Sequence, residues 1–462
     1  LSQPIPNPPS VNKAPTGRLL SILGVGFGLA GAVGGTIGAG ILRTPGLVAA
    51  QLPSAPLVLA AWLAGGLYAL LGAVCIAELA AALPKAGGWY VYAERAFGKR
   101  VGFLVGWTDW LAHCIGLAWV ATTAGEYGQA LLPAALLQEP YVARILALLA
   151  IALFTLIQLR GLRAGSASQE LLSLAKAVAF LLLVAACFLL PIQPVAPSEL
   201  TARTPSTSMN WQSLSVAVVL ALQAVITTYD GWASPVYFAE EFSEPGRDLP
   251  RSLIGGVLAV LVLYLLINLA LLHVLPLAQL ASSSLPAAAA AQALAGPLGA
   301  LLITAVALVS LLGLINTVVM AAPRILFGLS RDGLLPSFVA EVNGGGTPSA
   351  ALLLTSTAAA ALVLAGSFER LLAMGAVLYV SLPLAGIAAL VALRLQEPEL
   401  ARPFRTWGYP VTPLLITAVS LAFLIGSAAN DWLNSLAALA LVAMGYGVSL
   451  LAERRPGAGE KG

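Results

Sequence analysis

Charge is what this chain has least of. Only 9% of its 462 residues are Asp, Glu, Lys or Arg, and 59% are hydrophobic. A soluble globular domain carries about 25% charged residues, and here the mean hydropathy is +0.91. A soluble fold is therefore excluded. Apolar runs long enough to cross roughly 30 Å of hydrocarbon recur from end to end, so the chain is an integral membrane protein. Histidine is almost missing, with His113 and His273 alone, and no paired-carboxylate motif occurs outside the cluster at Glu240. A membrane-embedded enzyme needs a metal-binding, Ser/His or His-rich set. None is present, so no catalytic residue, metal ligand or cofactor is expected. The three cysteines, Cys75, Cys114 and Cys187, lie in separate apolar segments without metal-like spacing, and a disulfide framework is not expected. The net charge of +3 gives no reason to invoke nucleic acid.

What is present is a regular alternation of apolar spans and short loops. The opening "LSQPIPNPPSVNKAPTGR" is Pro-rich and polar and lacks the order of a signal peptide, so residues 1–17 read as a disordered cytoplasmic tail. Twelve spans follow, from Leu19–Leu52 to Trp432–Leu451. Of the 23 Lys and Arg residues, Arg43 and Lys176 fall inside spans, and one set of alternate loops holds only Arg144, Arg203 and Arg370. The rest lie in the other loops and the tails. The positive-inside rule puts those loops and both termini in the cytoplasm, in a cell (inner) membrane.

Two spans are too long and too broken to be simple helices. Leu19–Leu52 would be about 50 Å long as one helix, and "GGTIGAGILRTPG" (Gly34–Gly46) sits in its middle. Eight glycines fall between Gly24 and Gly40. The sixth span, Trp211–Phe242, is interrupted at "ITTYDGWASP", with Asp230, Gly231 and Pro235. The breaks are five spans apart. Five crossings return the chain on the opposite side, so spans 1–5 and 6–10 form an inverted pair with a broken helix first in each. That pattern points to a secondary transporter with its site at the breaks. Unwinding leaves backbone groups unpaired, each costing several kcal/mol in lipid. A half-helix N-terminus favours a carboxylate and exposed carbonyls favour an ammonium. An α-amino acid carries both.

Four blocks, in order, carry a family resemblance: "GGTIGAGILRTPG", "ELAAALPKAGGWYVYAERAFGKRVGFLVGW" (Glu78–Trp107), "YDGWASPVYFAEEFSEPGRDLPRSL" (Tyr229–Leu253) and "APRILFGLSRDGLLPSFVAEVNGGGTPSAALLL" (Ala322–Leu354). They resemble the amino acid–polyamine–organocation (APC) transporters, closest to the L-type amino acid transporter branch and its bacterial relatives. The resemblance implies an all-α fold of twelve transmembrane helices, with a LeuT-type 5+5 inverted repeat. Residues 18–396 would be the ten-helix core and 397–462 two peripheral helices with a cytoplasmic tail. It implies that Thr36, Ile37, Gly38, Ala39 and Gly40 offer N–H groups to a substrate α-carboxylate. Carbonyls around Thr227, Thr228 and Tyr229, flanked by Asp230 and Gly231, would take the α-ammonium. Ala39 stands where a serine is usual, and Thr227 where relatives often have an aromatic gate. The loop "LPAALLQEPYVA" lacks the cysteine by which animal members attach a heavy chain. A single-chain protein, monomer or loose homodimer, is expected, with an L-amino acid and the lipid bilayer as its partners.

The membrane charges refine this. Lys176 lies about 15 Å into the fifth span, too deep for easy snorkelling. The resemblance places it beside the first break, where sodium-coupled relatives of the fold bind their ion, with Asn316 and Thr317 as possible neighbours. Lys176 could carry a coupled proton, or stay charged and hold helices together in an exchanger. Arg43, Asp230 and Trp232 are candidate gates, and Arg43 and Asp230 either face water or approach one another. Asp109 and His113 share a helix face as a proton relay or an interhelical hydrogen bond. Glu78 is expected to anchor the Pro84–Tyr92 loop. Glu240, Glu241, Glu244, Arg247 and Asp248 form an inner gate or a solvated loop. The expected function is sodium-independent amino acid transport by alternating access, as exchanger or proton-coupled symporter. The alternative is a sodium symporter or a polyamine/organocation exchanger of the same fold.

Overall fold

The computed structural model describes residues 18–38, 40–133, 139–192, 210–283, 285–365, 368–430 and 432–453. The expected tail over residues 1–17 and the proposed site residue Ala39 lie outside them. So do residues 134–138 of the loop "LPAALLQEPYVA".

The described residues are helical nearly throughout, because lipid offers backbone groups no partner and a helix pairs them within one segment. The helices are α1 (Val25–Thr36), α2 (Gly40–Gln51), α3 (Ala55–Ala82), α4 (Trp89–Phe97), α5 (Lys99–Ala130), α6 (Pro140–Leu159), α7 (Leu162–Leu189) and α8 (Trp211–Thr228). After a 3₁₀ segment, Ser234–Glu241, come α9 (Pro245–Val274), α10 (Leu277–Ser282), α11 (Pro286–Arg331), α12 (Ser349–Ala365), α13 (Phe368–Gln396), α14 (Val411–Asn430) and α15 (Trp432–Glu453). Among the described residues eight helices are each long and apolar enough to cross a membrane, and α1 with α2, bent by 49°, passes the same test as a pair. Three more apolar stretches, Ser349–Ala365, Val411–Gly426 and Ser435–Gly445, are shorter.

Both expected interruptions are real breaks. The first leaves the helix at Ile37, whose backbone is extended (φ −79°, ψ 95°). The second runs through Tyr229–Ala233, and Gly231 adopts φ +99°, a conformation that suits glycine alone. Beyond it the chain resumes as a 3₁₀ helix rather than the α-helix the sequence suggested, with Pro235 in its first turn. The two breaks touch backbone to backbone. A Cβ on Gly231 would sit 2.2 Å from the Gly35 carbonyl oxygen, so no larger residue fits the crossing.

A third irregularity lies in α11, where Ala295 and Gly296 leave helical geometry just before Pro297. The continuous crossing therefore begins at Pro297, four residues later than the apolar pattern suggests. Around the breaks, α3 packs along α9, α5 along α11, α1 along α9, and α8 along α3. The short helix α4 lies across α5 and α13.

Candidate functional site

Unwinding a helix inside a membrane strands its carbonyls, and the first break shows what takes them up. Lys176 on α7 is wholly buried, and its Nζ donates to the carbonyls of Gly34 (3.0 Å), Ile37 (2.9 Å) and Ser310 (3.1 Å). An ammonium has three donors, and all three are used. Helices α1, α7 and α11 are thereby tied to one charge. Asn316 and Thr317, expected beside Lys176, have other partners. Asn316 accepts from Gln158 Nε2 (2.8 Å) and donates to Gln169 Oε1 (2.9 Å), while Thr317 turns back to Gly313 O (3.0 Å). An amide both donates and accepts, and two glutamines satisfy it better than a cation can.

A residue the sequence reading missed joins the two breaks. Tyr264, wholly buried on α9, donates its hydroxyl toward Thr36 O (3.0 Å) and Thr228 O (3.3 Å). The available signal was a lone tyrosine amid the aliphatic run "GVLAVLVLYLLINLALL". The side chains join as well. Thr228 Oγ1 donates to Ala224 O (2.8 Å), so its contact of 2.8 Å with Thr44 Oγ1 makes Thr44 the donor there.

The breaks border a cavity of about 130 Å³. Thr36, Gly38 and Gly40 line it from the first, and Thr227, Thr228, Asp230 and Gly231 from the second. The first N–H groups of α2 have no partner within their helix, and they begin at this wall. Trp119, His113 and Tyr379 supply an aromatic and polar side that the sequence reading did not assign. Ile37 is fully buried and contributes its carbonyl to Lys176 instead. Tyr229 also turns away, donating to Trp62 O (3.2 Å). Trp232 is buried edge-on against Trp89, with ring centroids 6.3 Å apart, and lines two smaller cavities beside this one.

Asp230 borders all three cavities. The titratable side chains of His113 and Asp109 lie nearby. Arg43 is exposed and lies toward Glu126 and Tyr127 instead. Arg43 and Asp230 are therefore not paired with one another in this conformation. His113 Nδ1 is 2.8 Å from Asp109 O and 3.1 Å from Asp109 Oδ1, facing two acceptors, so it carries a proton. Tyr237 donates to the same Oδ1 (2.9 Å), which joins α5 to the 3₁₀ segment.

One end of the broken helices is sealed. Leu23 and Phe242 form a parallel β-bridge, with Leu23 N–H donating to Glu241 O and Ser243 N–H to Leu23 O, both at 2.9 Å. Phe27 packs edge-on against Phe238 at 5.1 Å. Arg324 donates to Glu241 through Nε (3.0 Å) and Nη2 (2.9 Å), and both side chains are at most 1% exposed. Glu240 accepts from Arg331 (2.5 Å) and from Ala86 N–H (3.1 Å), so it anchors the Pro84–Tyr92 loop. Tyr90 in α4 donates to Glu94 and Asp332; burial first, and those carboxylates second, push its hydroxyl well above the usual range and keep it a donor. Glu78 holds a different partner from the one expected: it pairs with Arg394 (2.5 Å) and Arg402 (3.1 Å) and accepts Thr406 N–H (2.7 Å). Glu244, Arg247 and Asp248 pair among themselves, with Glu244 and Arg247 well exposed.

Comparison with known proteins finds transporters along nearly the whole chain. The serine/threonine exchanger SteT of Bacillus subtilis is 28% identical over 417 residues, 88% of this chain and 90% of its own. The methylthioribose transporter of the same organism is 28% identical, covering 90% and 88%. The large neutral amino acids transporter small subunit 2 of Homo sapiens is 28% identical, covering 86% and 74%. These are transporters, not enzymes. Residues 19–446 match the amino acid permease family, and the chain belongs to that family, within the APC superfamily.

Proposed function

We propose that this protein is a sodium-independent exchanger of L-amino acids, working by alternating access between the two broken helices. One observation carries the reading: the Lys176 ammonium, saturated by three backbone carbonyls at the first break. A sodium ion would take carbonyl oxygens in the same way, and a fixed cation here replaces it. With every proton of the ammonium engaged, deprotonation would strand a buried carbonyl, which favours a permanent charge over a coupled proton. The exchange named for SteT supports the same choice.

The substrate carboxylate lies at the start of α2, among Thr36, Gly38, Ala39 and Gly40. The ammonium lies at the Thr227 and Thr228 carbonyls beside Asp230. Trp119 and Tyr379 take the covering role that Thr227 cannot. The helices that pack together support the inverted repeat. Exchanging each of the first five spans with its counterpart five later maps α3 against α9, and α5 against α11, onto themselves. The same exchange turns α1 against α9 into α8 against α3. Twelve spans, a core over 18–396, peripheral helices over 397–462 and both termini at the cytoplasmic face of the inner membrane complete the reading. The three cysteines are all buried, at 0%, 1% and 0% exposure, so none is available to bind a heavy chain covalently.

The test is uptake into proteoliposomes of the purified chain. Labelled amino acids, with methylthioribose as a separate substrate, are offered to vesicles that are empty, preloaded with substrate, or under an inward proton or sodium gradient. The expected result is amino acid uptake only after preloading, indifferent to sodium and abolished in Lys176→Met. Gradient-driven uptake into empty vesicles overturns the exchange mode. Uptake of methylthioribose alone overturns the substrate class.

A further inference from the structure

Away from the transport cavity, an open groove of about 620 Å³ lies where the start of α9 meets the segment joining α13 to α14. Its α9 wall carries Arg247, Arg251, Ile254 and Leu258, and its other wall Phe404 and Trp407. Arg251 is exposed and makes no hydrogen bond or ion pair among the described residues. Arg247 gives Glu244 one of its five donors at 2.9 Å and lies 3.8 Å from Asp248, leaving donors unused. Trp407 is 58% exposed and packs at 5.8 Å on Phe404, and tryptophans are enriched where a membrane meets water.

Below Arg251 the same face of α9 continues as Gly255, Leu258 and Val262, with Leu258 42% and Val262 55% exposed. From residue 251 to 262 a helix rises about 16 Å, close to half of a hydrocarbon core of about 30 Å. The lane is therefore one leaflet deep, with unpaired positive charge at its mouth and an apolar wall beneath. We propose that it binds one anionic phospholipid, the phosphate held by Arg251 and Arg247, the glycerol edge against Trp407, and an acyl chain along Leu258 and Val262. Basic pockets between helices on the cytoplasmic side suit such headgroups. The placement rests on the orientation proposed above. The site also adjoins the moving parts: a Cβ on Gly255 would lie 3.0 Å from Leu29 of α1. A bound lipid thus props the face of α9 on which α1 rests.

Native mass spectrometry of the delipidated full chain tests this without any transport assay. Phosphatidylglycerol, phosphatidylcholine with the same chains, and water-soluble glycerol phosphate are added in turn. The wild type is expected to retain one phosphatidylglycerol in preference to phosphatidylcholine, undisturbed by glycerol phosphate. Arg251→Gln should weaken retention about fivefold, and the double variant with Arg247→Gln about twenty-five-fold. Arg160→Gln with Arg163→Gln, the same charge change on another loop, should leave it unchanged. Equal retention in the Arg247/Arg251 double variant overturns the proposal. So does equal loss in the Arg160/Arg163 control, equal binding of the neutral lipid, or displacement by glycerol phosphate. Because binding is read directly, a wild type that exchanges amino acids but retains no phosphatidylglycerol condemns this proposal alone, and one that retains the lipid but does not exchange condemns only the transport reading.

Discussion

At the scale of single residues, the sharpest constraint is the space around the Lys176 ammonium. A Cβ on Gly313 would sit 2.9 Å from Lys176 Cε and 3.0 Å from Nζ. The lysine is the flexible party, so Gly313→Ala should push it off its carbonyls rather than distort α11. Hydrogen bonds to a charged donor are worth about 1.5–3 kcal/mol each, and at least one would be lost. The expected outcome is a purified, folded Gly313→Ala protein with a lowered melting temperature and exchange reduced tenfold or more. Normal exchange would mean that the cation's position is immaterial. Tyr264→Phe removes a hydroxyl and nothing else. It leaves the Thr36 and Thr228 carbonyls a donor short, at about 1–3 kcal/mol for each buried group left unsatisfied. Exchange should fall while the helical circular dichroism stays that of the wild type. Exchange at the wild-type rate would mean that the hydroxyl is not needed to hold the two breaks together.

At the scale of elements, the ends of α11 and the 3₁₀ segment are held by a pair that water does not reach. Removing one partner of a buried ion pair costs about 3–5 kcal/mol, whereas replacing both by apolar groups is often neutral. Glu241→Leu and Arg324→Met should therefore each lower thermal stability markedly, and the double variant should recover most of the loss. If the singles are as stable as wild type, the pair is not a lock. The elements also show what could be read beforehand. Both breaks were legible because Gly34–Gly40 and Asp230–Pro235 put helix-breaking residues inside apolar runs, a local signal. Lys176 was legible as the lone deep cation of its span. Its neighbours were not, because Asn316 finds Gln158 and Gln169, amides 158 and 147 residues away in sequence. Glu78 was misassigned for the same reason: Arg394 is 316 residues distant. Hydropathy places helices, but only the fold chooses among several possible polar partners.

At the scale of the whole molecule, the two ends of the broken helices are unlike. One is shut by the Leu23–Phe242 bridge, the Phe27 contacts and the Glu241–Arg324 pair. Thr227, by contrast, is exposed at the wall of the central cavity. Such a molecule sits on one side of a two-state equilibrium, and a change that weakens the closed end moves the population toward the other state. Native thiols give little background, since all three described cysteines are buried. A Thr227→Cys variant should therefore react with a membrane-impermeant thiol reagent added from the side opposite the Glu241–Arg324 pair, and a transported amino acid should protect it. Adding Glu241→Gln replaces a charged acceptor by a neutral one. The shut end then loosens, and labelling from the side opposite the pair should slow severalfold while labelling from the Arg324 side rises. Slowing on one side without a rise on the other would mean that the variant has closed the cavity rather than turned it. Unchanged labelling on both sides would leave the ion pair as a brace within a conformation that its loss does not disturb.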